Sequence, residues 1–151
     1  MANATLIKTI IFNAPRETVW AFLTEKDKLA KWFHPALADF VEGEDYALVD
    51  LDARGEQQKI CWGKVLKMNK PSKLIVTFTI APLNGAMTTV IWTLEEIKDG
   101  TKLTLQHEGI ADAAGEAAIS LLSGLDRGWD KHVDALRTQV NSLVSEGCGH
   151  K

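Results

Sequence analysis

The chain has 151 residues, 46% of them hydrophobic, with 17 Lys and Arg against 20 Asp and Glu for a formal charge of −3. That length suits one domain with a real core, and the near-balance of charge excludes the basic face that nucleic-acid binding needs. No apolar run reaches the roughly eighteen residues of a membrane-spanning helix, and Lys8 and Glu17 interrupt what a signal peptide would keep apolar, so a cytoplasmic location is expected.

Thr5 to Phe12 is rich in Ile, Thr and Phe and predicts a strand. Asn13-Ala14-Pro15 stops it, and Pro15 suits the first turn of a short helix whose buried side is Val19, Trp20 and Leu23. Thr24 is expected to cap a second short helix, with Asp27 three residues on and Leu29, Trp32 and Phe33 on its apolar side. Pro35 ends it. Strands are then predicted at Leu37–Val41, Tyr46–Leu51, Lys59–Met68, Leu74–Ile80, Met87–Ile97 and Leu103–Glu108. They are separated by turns at Gly43, Gly55, Asn69–Ser72, Pro82–Gly85 and the hairpin pair Asp99-Gly100.

From Ile110 onward the pattern changes. Ile119, Leu122, Leu125, Trp129, Val133, Leu136, Val140 and Leu143 recur at three- and four-residue steps, the stripe of one long amphipathic helix. Asp126, Asp130, Lys131, Asp134 and Arg137 lie away from that stripe. Thirty helical residues would run about 45 Å, more than the width of so small a domain, so a bend or early fraying is expected, with Gly124 and Gly128 as the weak points. The fold class is therefore α+β: a strand, two short helices, a curved antiparallel sheet of about six further strands, and a long C-terminal helix laid on its concave face. A single domain over residues 1–146 is expected, with 147–151 a flexible tail.

Four stretches together resemble the activator-of-Hsp90-ATPase homologue 1-like family of the START-related, helix-grip superfamily. They are Phe12-Asn13-Ala14-Pro15-Arg16-Glu17-Thr18-Val19-Trp20 with Leu23-Thr24 and Trp32; Gly63-Lys64-Val65 followed by Pro71-Ser72-Lys73-Leu74; Gly100 through Gly109; and Gly128-Trp129 with His132-Val133 and Leu136. The resemblance spans nearly the whole chain. It implies a fold with a cavity, and a stress-response role touching an Hsp90-type chaperone. The eukaryotic co-chaperone of the family carries an additional N-terminal domain that contacts Hsp90, for which 151 residues are expected to leave no room.

His107 shares a strand face with Leu103 and Leu105, so an inward imidazole is expected. It would either give a ligand one polar contact, with general-base chemistry in reach, or sit as a core-edge histidine bonded to a backbone carbonyl. His34 and His132 are expected to be solvated, although His34 could line a pocket mouth beside Asp39 and His132 could reach into the cavity. Of the five tryptophans, Trp20, Trp32 and Trp129 are assigned to the core and Trp92 to the interior wall, while Trp62 stays ambiguous. Met87 is placed near a cavity rim. Asp50, Asp52 and Glu56 lack the spacing of a calcium loop, and Cys148 with His150 falls short of the usual zinc ligand count. Cys61 and Cys148 are not expected to pair.

These readings converge on an apolar or amphipathic small molecule held between the sheet and the C-terminal helix by Val76, Phe78, Trp92, Leu105, His107, Trp129 and Val133. No catalytic residue, cofactor or metal is assigned, and a monomer or weak homodimer is expected. The alternatives are an Hsp90-related interaction module and a cyclase- or hydrolase-type enzyme using His107.

Overall fold

A computed structural model describes residues 5–51, 53–80, 86–110 and 118–149, without the side chains of 118–122 and 142–149. The turn expected at Pro82–Gly85, the residues Asp52 and His150, and the side chains of Ile119, Leu122, Leu143 and Cys148 lie outside the described residues.

The chain opens with β1 (Leu6–Phe12), then α1 (Arg16–Thr24) and α2 (Lys26–Trp32). Five strands follow: β2 (Asp45–Leu51), β3 (Gln57–Asn69), β4 (Lys73–Phe78), β5 (Thr88–Ile97) and β6 (Gly100–Glu108). The last element is α3 (Ala118–Gly149). The six strands form one antiparallel sheet in the order β1-β6-β5-β4-β3-β2. Among the described residues, all three helices cover one face, which is the helix-grip arrangement, and the other face is solvated, as antiparallel sheets permit.

Period-two alternation sorts the sheet's side chains. Val90, Trp92 and Leu94 of β5 stand opposite His107, Leu105 and Leu103 of β6, and all six are buried. Leu74 and Val76 continue this layer onto β4, paired with Trp92 and Val90. Ile7, Ile11 and Leu66 point to the exposed side. α3 answers with Trp129, Val133, Leu136 and Val140, all buried. It is continuous through Gly124 and Gly128, so neither glycine interrupts it. Lys8 lies on the inward side of β1, where its ammonium meets Asp126 at 2.5 Å and Asp130 at 2.7 Å. The charge that breaks the apolar run of β1 thus ties that strand to α3.

Three local expectations change. Thr24 closes α1 instead of capping α2, its hydroxyl donating to the Trp20 carbonyl at 3.0 Å. The exposed N–H at the start of α2 is met by a distant side chain, with Lys26 N donating to Asp39 Oδ1 at 2.8 Å. Leu37–Val41 does not form a strand because its backbone bonds are divided between two elements. Leu37 N donates to Ala47 O of β2, whereas Phe40 N donates to Thr24 O of α1, leaving a single bridge between Ala36 and Leu48. The β5–β6 hairpin turns on Lys98-Asp99, with Asp99 at φ 64° and Gly100 already paired with Ile97. Gly100 is needed for another reason: a Cβ there would collide with the Phe12 carbonyl at the end of β1.

Candidate apolar cleft beside Trp129

Trp129 is centred on the underside of α3, and rings converge on it from three strands and from the link after α2. Trp92 of β5 lies edge-on with centroids 5.7 Å apart, Phe78 of β4 is at 5.9 Å, and His107 of β6 is at 6.0 Å. Phe33, just past α2, is at 5.4 Å. Trp32 extends the cluster, edge-on to Trp92 at 6.0 Å, its indole N–H held by the Phe22 carbonyl at 2.7 Å. Edge-to-face and tilted geometries place positive ring edges on negative faces.

His107 is fully buried, and both its ring nitrogens are occupied. Trp129 Nε1–H donates to Nδ1 at 3.0 Å. An indole nitrogen can only donate, so Nδ1 is an acceptor and the proton resides on Nε2. That N–H donates to Thr88 Oγ1 at 2.7 Å, and the Thr88 hydroxyl donates to the Phe78 carbonyl at 2.9 Å. The result is a directed relay from α3 through β6 and β5 to β4. Burial of the imidazole, with no opposing charge beside it, pushes its pKa down from 6.5 to about 4. His107 therefore bolts the helix to the sheet with a neutral ring.

The space around this cluster falls into two parts. Under Trp129 lies an internal hollow of only about 20 Å³, bounded in part by Val76, Phe78, Trp92 and Trp129. That is room for about one water molecule. Beside it opens a cleft of about 260 Å³ lined by Phe33, His34, Ile60, Cys61, Phe78, Ile80, Leu125, Gly128, Trp129 and His132. Phe33, Cys61, Phe78 and Trp129 border both spaces, so these side chains form the partition between them.

Of the seven residues proposed from the sequence, Phe78 and Trp129 line the cleft, and Val76 and Trp92 face only the hollow. Leu105 is core, paired with Trp92. His107 sits in the relay, and Val133 borders a shallow groove between α3 and β1 with Lys8, Asp130 and Arg137. Met87 lies on a separate groove with Tyr46, Trp62 and Thr77, away from the cleft.

The cleft residues that sequence reasoning passed over are Phe33, Ile60, Cys61, Leu125 and Gly128, together with the two histidines read as solvated. The rings of His34 and His132 are 5.3 Å apart, and Phe33 packs edge-on to His132 at 4.6 Å. Burial lowers the pKa of His34, opposed by the Asp50 carboxylate. For His132, burial is again the largest cause of a lowered pKa, reinforced by His34 and Lys131 and opposed by a hydrogen bond to the Trp32 backbone. Asp39, expected beside His34, is instead the cap of α2. Burial pushes the Cys61 thiol up to about 12, which leaves it a neutral, unreactive wall residue. Among the described residues, no group of three His, Cys, Asp or Glu side chains is arranged to hold a metal ion, and no helix is long and apolar enough to cross a membrane.

Solved structures share this architecture. CalU16 from Micromonospora echinospora superposes with a TM-score of 0.73 at 24% identity, over 91% of this chain and 74% of its own. ChR145 from Cytophaga hutchinsonii gives 0.73 at 20% identity, over 96% of this chain and 99% of its own. DynU16, a protein of the dynemicin biosynthetic locus, gives 0.71 at 21% identity over 89% of this chain, which spans only 46% of DynU16. At such identities the likeness is one of fold. No curated protein matches the sequence. Residues 13–141 match the family described as activator of Hsp90 ATPase homolog 1-like protein. That span runs from the turn before α1 to beyond the buried stripe of α3, and so takes in strands β2 to β6, the relay and the cleft; this chain belongs to that family.

Proposed function

We propose that this protein binds an apolar or amphipathic small molecule in the cleft beside Trp129. The observation that carries the reading is an aromatic-walled opening of about 260 Å³ placed where α3 meets the sheet. Pockets for small ligands are concave, largely apolar and mostly preformed, with a few polar groups fixing orientation. Phe33, Phe78 and Trp129 supply the walls, and His34 and His132 the polar groups. The hollow behind the partition has no room for a ligand while Phe33 and Trp129 keep their places. A polar contact through His107, or general-base chemistry there, is disfavoured by its geometry, since both ring nitrogens are already bonded. The same reading has the protein act in the cytoplasm, as a monomer or weak homodimer.

The test is a thermal-shift screen of lipids and aromatic compounds on the wild type and on Gly128→Leu, whose side chain would project into open space at the cleft. A ligand at a hundred times its dissociation constant adds about 2.7 kcal/mol of stability. We expect shifts in the wild type that Gly128→Leu abolishes. No shift across the panel, or equal shifts in both proteins, would remove the proposal.

Family membership favours one second reading, an interaction module for an Hsp90-type chaperone. It predicts complex formation that survives Gly128→Leu. Failure to co-purify with such a chaperone would end it.

A further inference from the structure

The two edges of the sheet differ. Along β2 the link after α2 supplies backbone partners: Leu37 N donates to Ala47 O at 3.0 Å and Val49 N to Pro35 O at 2.8 Å. Among the described residues, no strand pairs with the outer edge of β1. The strand registers fix which of its groups face outward. Leu94 N donates to Ser72 O beside β4, and in an antiparallel ladder the bonding direction alternates from one residue to the next. Even-numbered residues of β5 therefore bond to β4 and odd-numbered ones to the even-numbered residues of β6. The odd-numbered residues of β6 are left to bond the even-numbered ones of β1. The backbone N–H and C=O groups of Ile7, Thr9 and Ile11 thus point away from the sheet. Such a row is a template for another strand.

We propose that this strand is a second copy's β1, paired antiparallel about a two-fold axis at Thr9. That axis sets Ile7 opposite the second copy's Ile11, and Thr9 opposite Thr9. Ile7 and Ile11 are 57% and 54% exposed. Their neighbours on β6 are Gln106 and Lys102, so the adjoining strand of their own copy gives them no apolar companion. Isoleucine pairs across the axis supply one. The charges agree. α3 runs alongside β1 in the same direction, with Lys8 at Asp126 and Asp130, and Asn13 N donating to Asn141 Oδ1. An axis normal to the sheet keeps both copies of α3 on one face and reverses one against the other. At about 3.3 Å per strand residue and about 1.5 Å per helical residue, Arg137 of each copy comes level with Asp126 of the other. An inward lysine on an edge strand ordinarily discourages pairing, but the charge of Lys8 is already matched within its own copy. One seven-residue strand and a helix flank make a small interface, in the class below about 1,200 Å². The dimer is weak and reversible, and it does not depend on the cleft.

Sedimentation equilibrium of the full chain tests this. The wild type should dimerise with a dissociation constant of roughly 10–100 μM. Ile7→Lys/Ile11→Lys and Ile7→Glu/Ile11→Glu each set like charges opposite one another, and each alone should associate about tenfold more weakly or worse. Mixed in equal amounts, the two variants should associate again, because the register sets every lysine opposite a glutamate. These side chains face solvent, so circular dichroism and melting temperature should stay near those of the wild type. Thr9→Pro removes only an outward N–H, which an edge strand tolerates, and should weaken association likewise. A wild type still monomeric at about 1 mM would overturn the proposal. So would dimers of undiminished strength in the charged variants or in Thr9→Pro, or folded charged variants that fail to associate when mixed. Each of these results leaves the ligand screen on the cleft to stand or fall by itself.

Discussion

Placing a proton on Nδ1 of His107 would break the relay, because Trp129 can donate and never accept. Burial adds to this, holding the folded imidazole neutral down to about pH 4, whereas in the unfolded chain it titrates near 6.5. The unfolded state binds the extra proton between those values. Stability is fully present above about 6.5 and falls as pH is lowered through this window, by about 3 kcal/mol in all. Urea unfolding at stepped pH should show that slope. His107→Gln keeps one donor and one acceptor without a titrating group, and should flatten it. An unchanged slope in the variant would exclude His107 as its source. At this scale the inward direction of His107 was legible from strand alternation with Leu103 and Leu105, while its partner Trp129 was not, since nothing in a one-dimensional pattern says where an indole N–H lands. His34 and His132 were misread for a related reason. Phe33, the ring that gathers them, sits at φ −124° and ψ −104°, outside any repeating geometry from which a side chain's direction can be read.

Among the elements, α3 carries the feature with the clearest trade-off. Gly128 lies inside the helix, where glycine costs about 1 kcal/mol relative to alanine, and a Cβ added there meets nothing within 4 Å. Gly128→Ala should stabilise the protein by about 0.5–1 kcal/mol in denaturant titration while narrowing the cleft beside Trp129. A loss of stability would mean that the glycine serves the helix and not the opening. The long helix and most strands were legible because period 3.6 and period 2 repeat over many residues. The caps were not: the first N–H of α2 is met by Asp39, thirteen residues downstream of Lys26, and a cap that arrives through tertiary folding leaves no local signature. Leu37–Val41 failed likewise, its composition suiting a strand whose partners the tertiary structure had divided between β2 and α1.

Across the whole molecule, the layer of helices over an antiparallel sheet followed from element order, but the division of its empty space did not. A hollow of about 20 Å³ and a cleft of about 260 Å³ differ by where a few rings come to rest. Phe33 is the decisive one, borne on the short irregular link after α2 and bordering both spaces. Phe33→Ala should join them into one chamber, at a cost of about 2–3 kcal/mol, below that of a fully buried phenylalanine. Larger aromatic compounds should then raise the melting temperature of the variant where they leave the wild type unmoved. If the variant loses stability without gaining ligands, the partition is structural only.

The contiguity of Trp32, Trp92 and Trp129, with neighbouring centroids at 6.0 and 5.7 Å, has an optical consequence. Indoles that close exchange excitation faster than they emit, so light absorbed by one is shared by all three. A compound seated against Trp129 would then dim emission from tryptophans it never touches, and the protein would announce its own occupancy without a label.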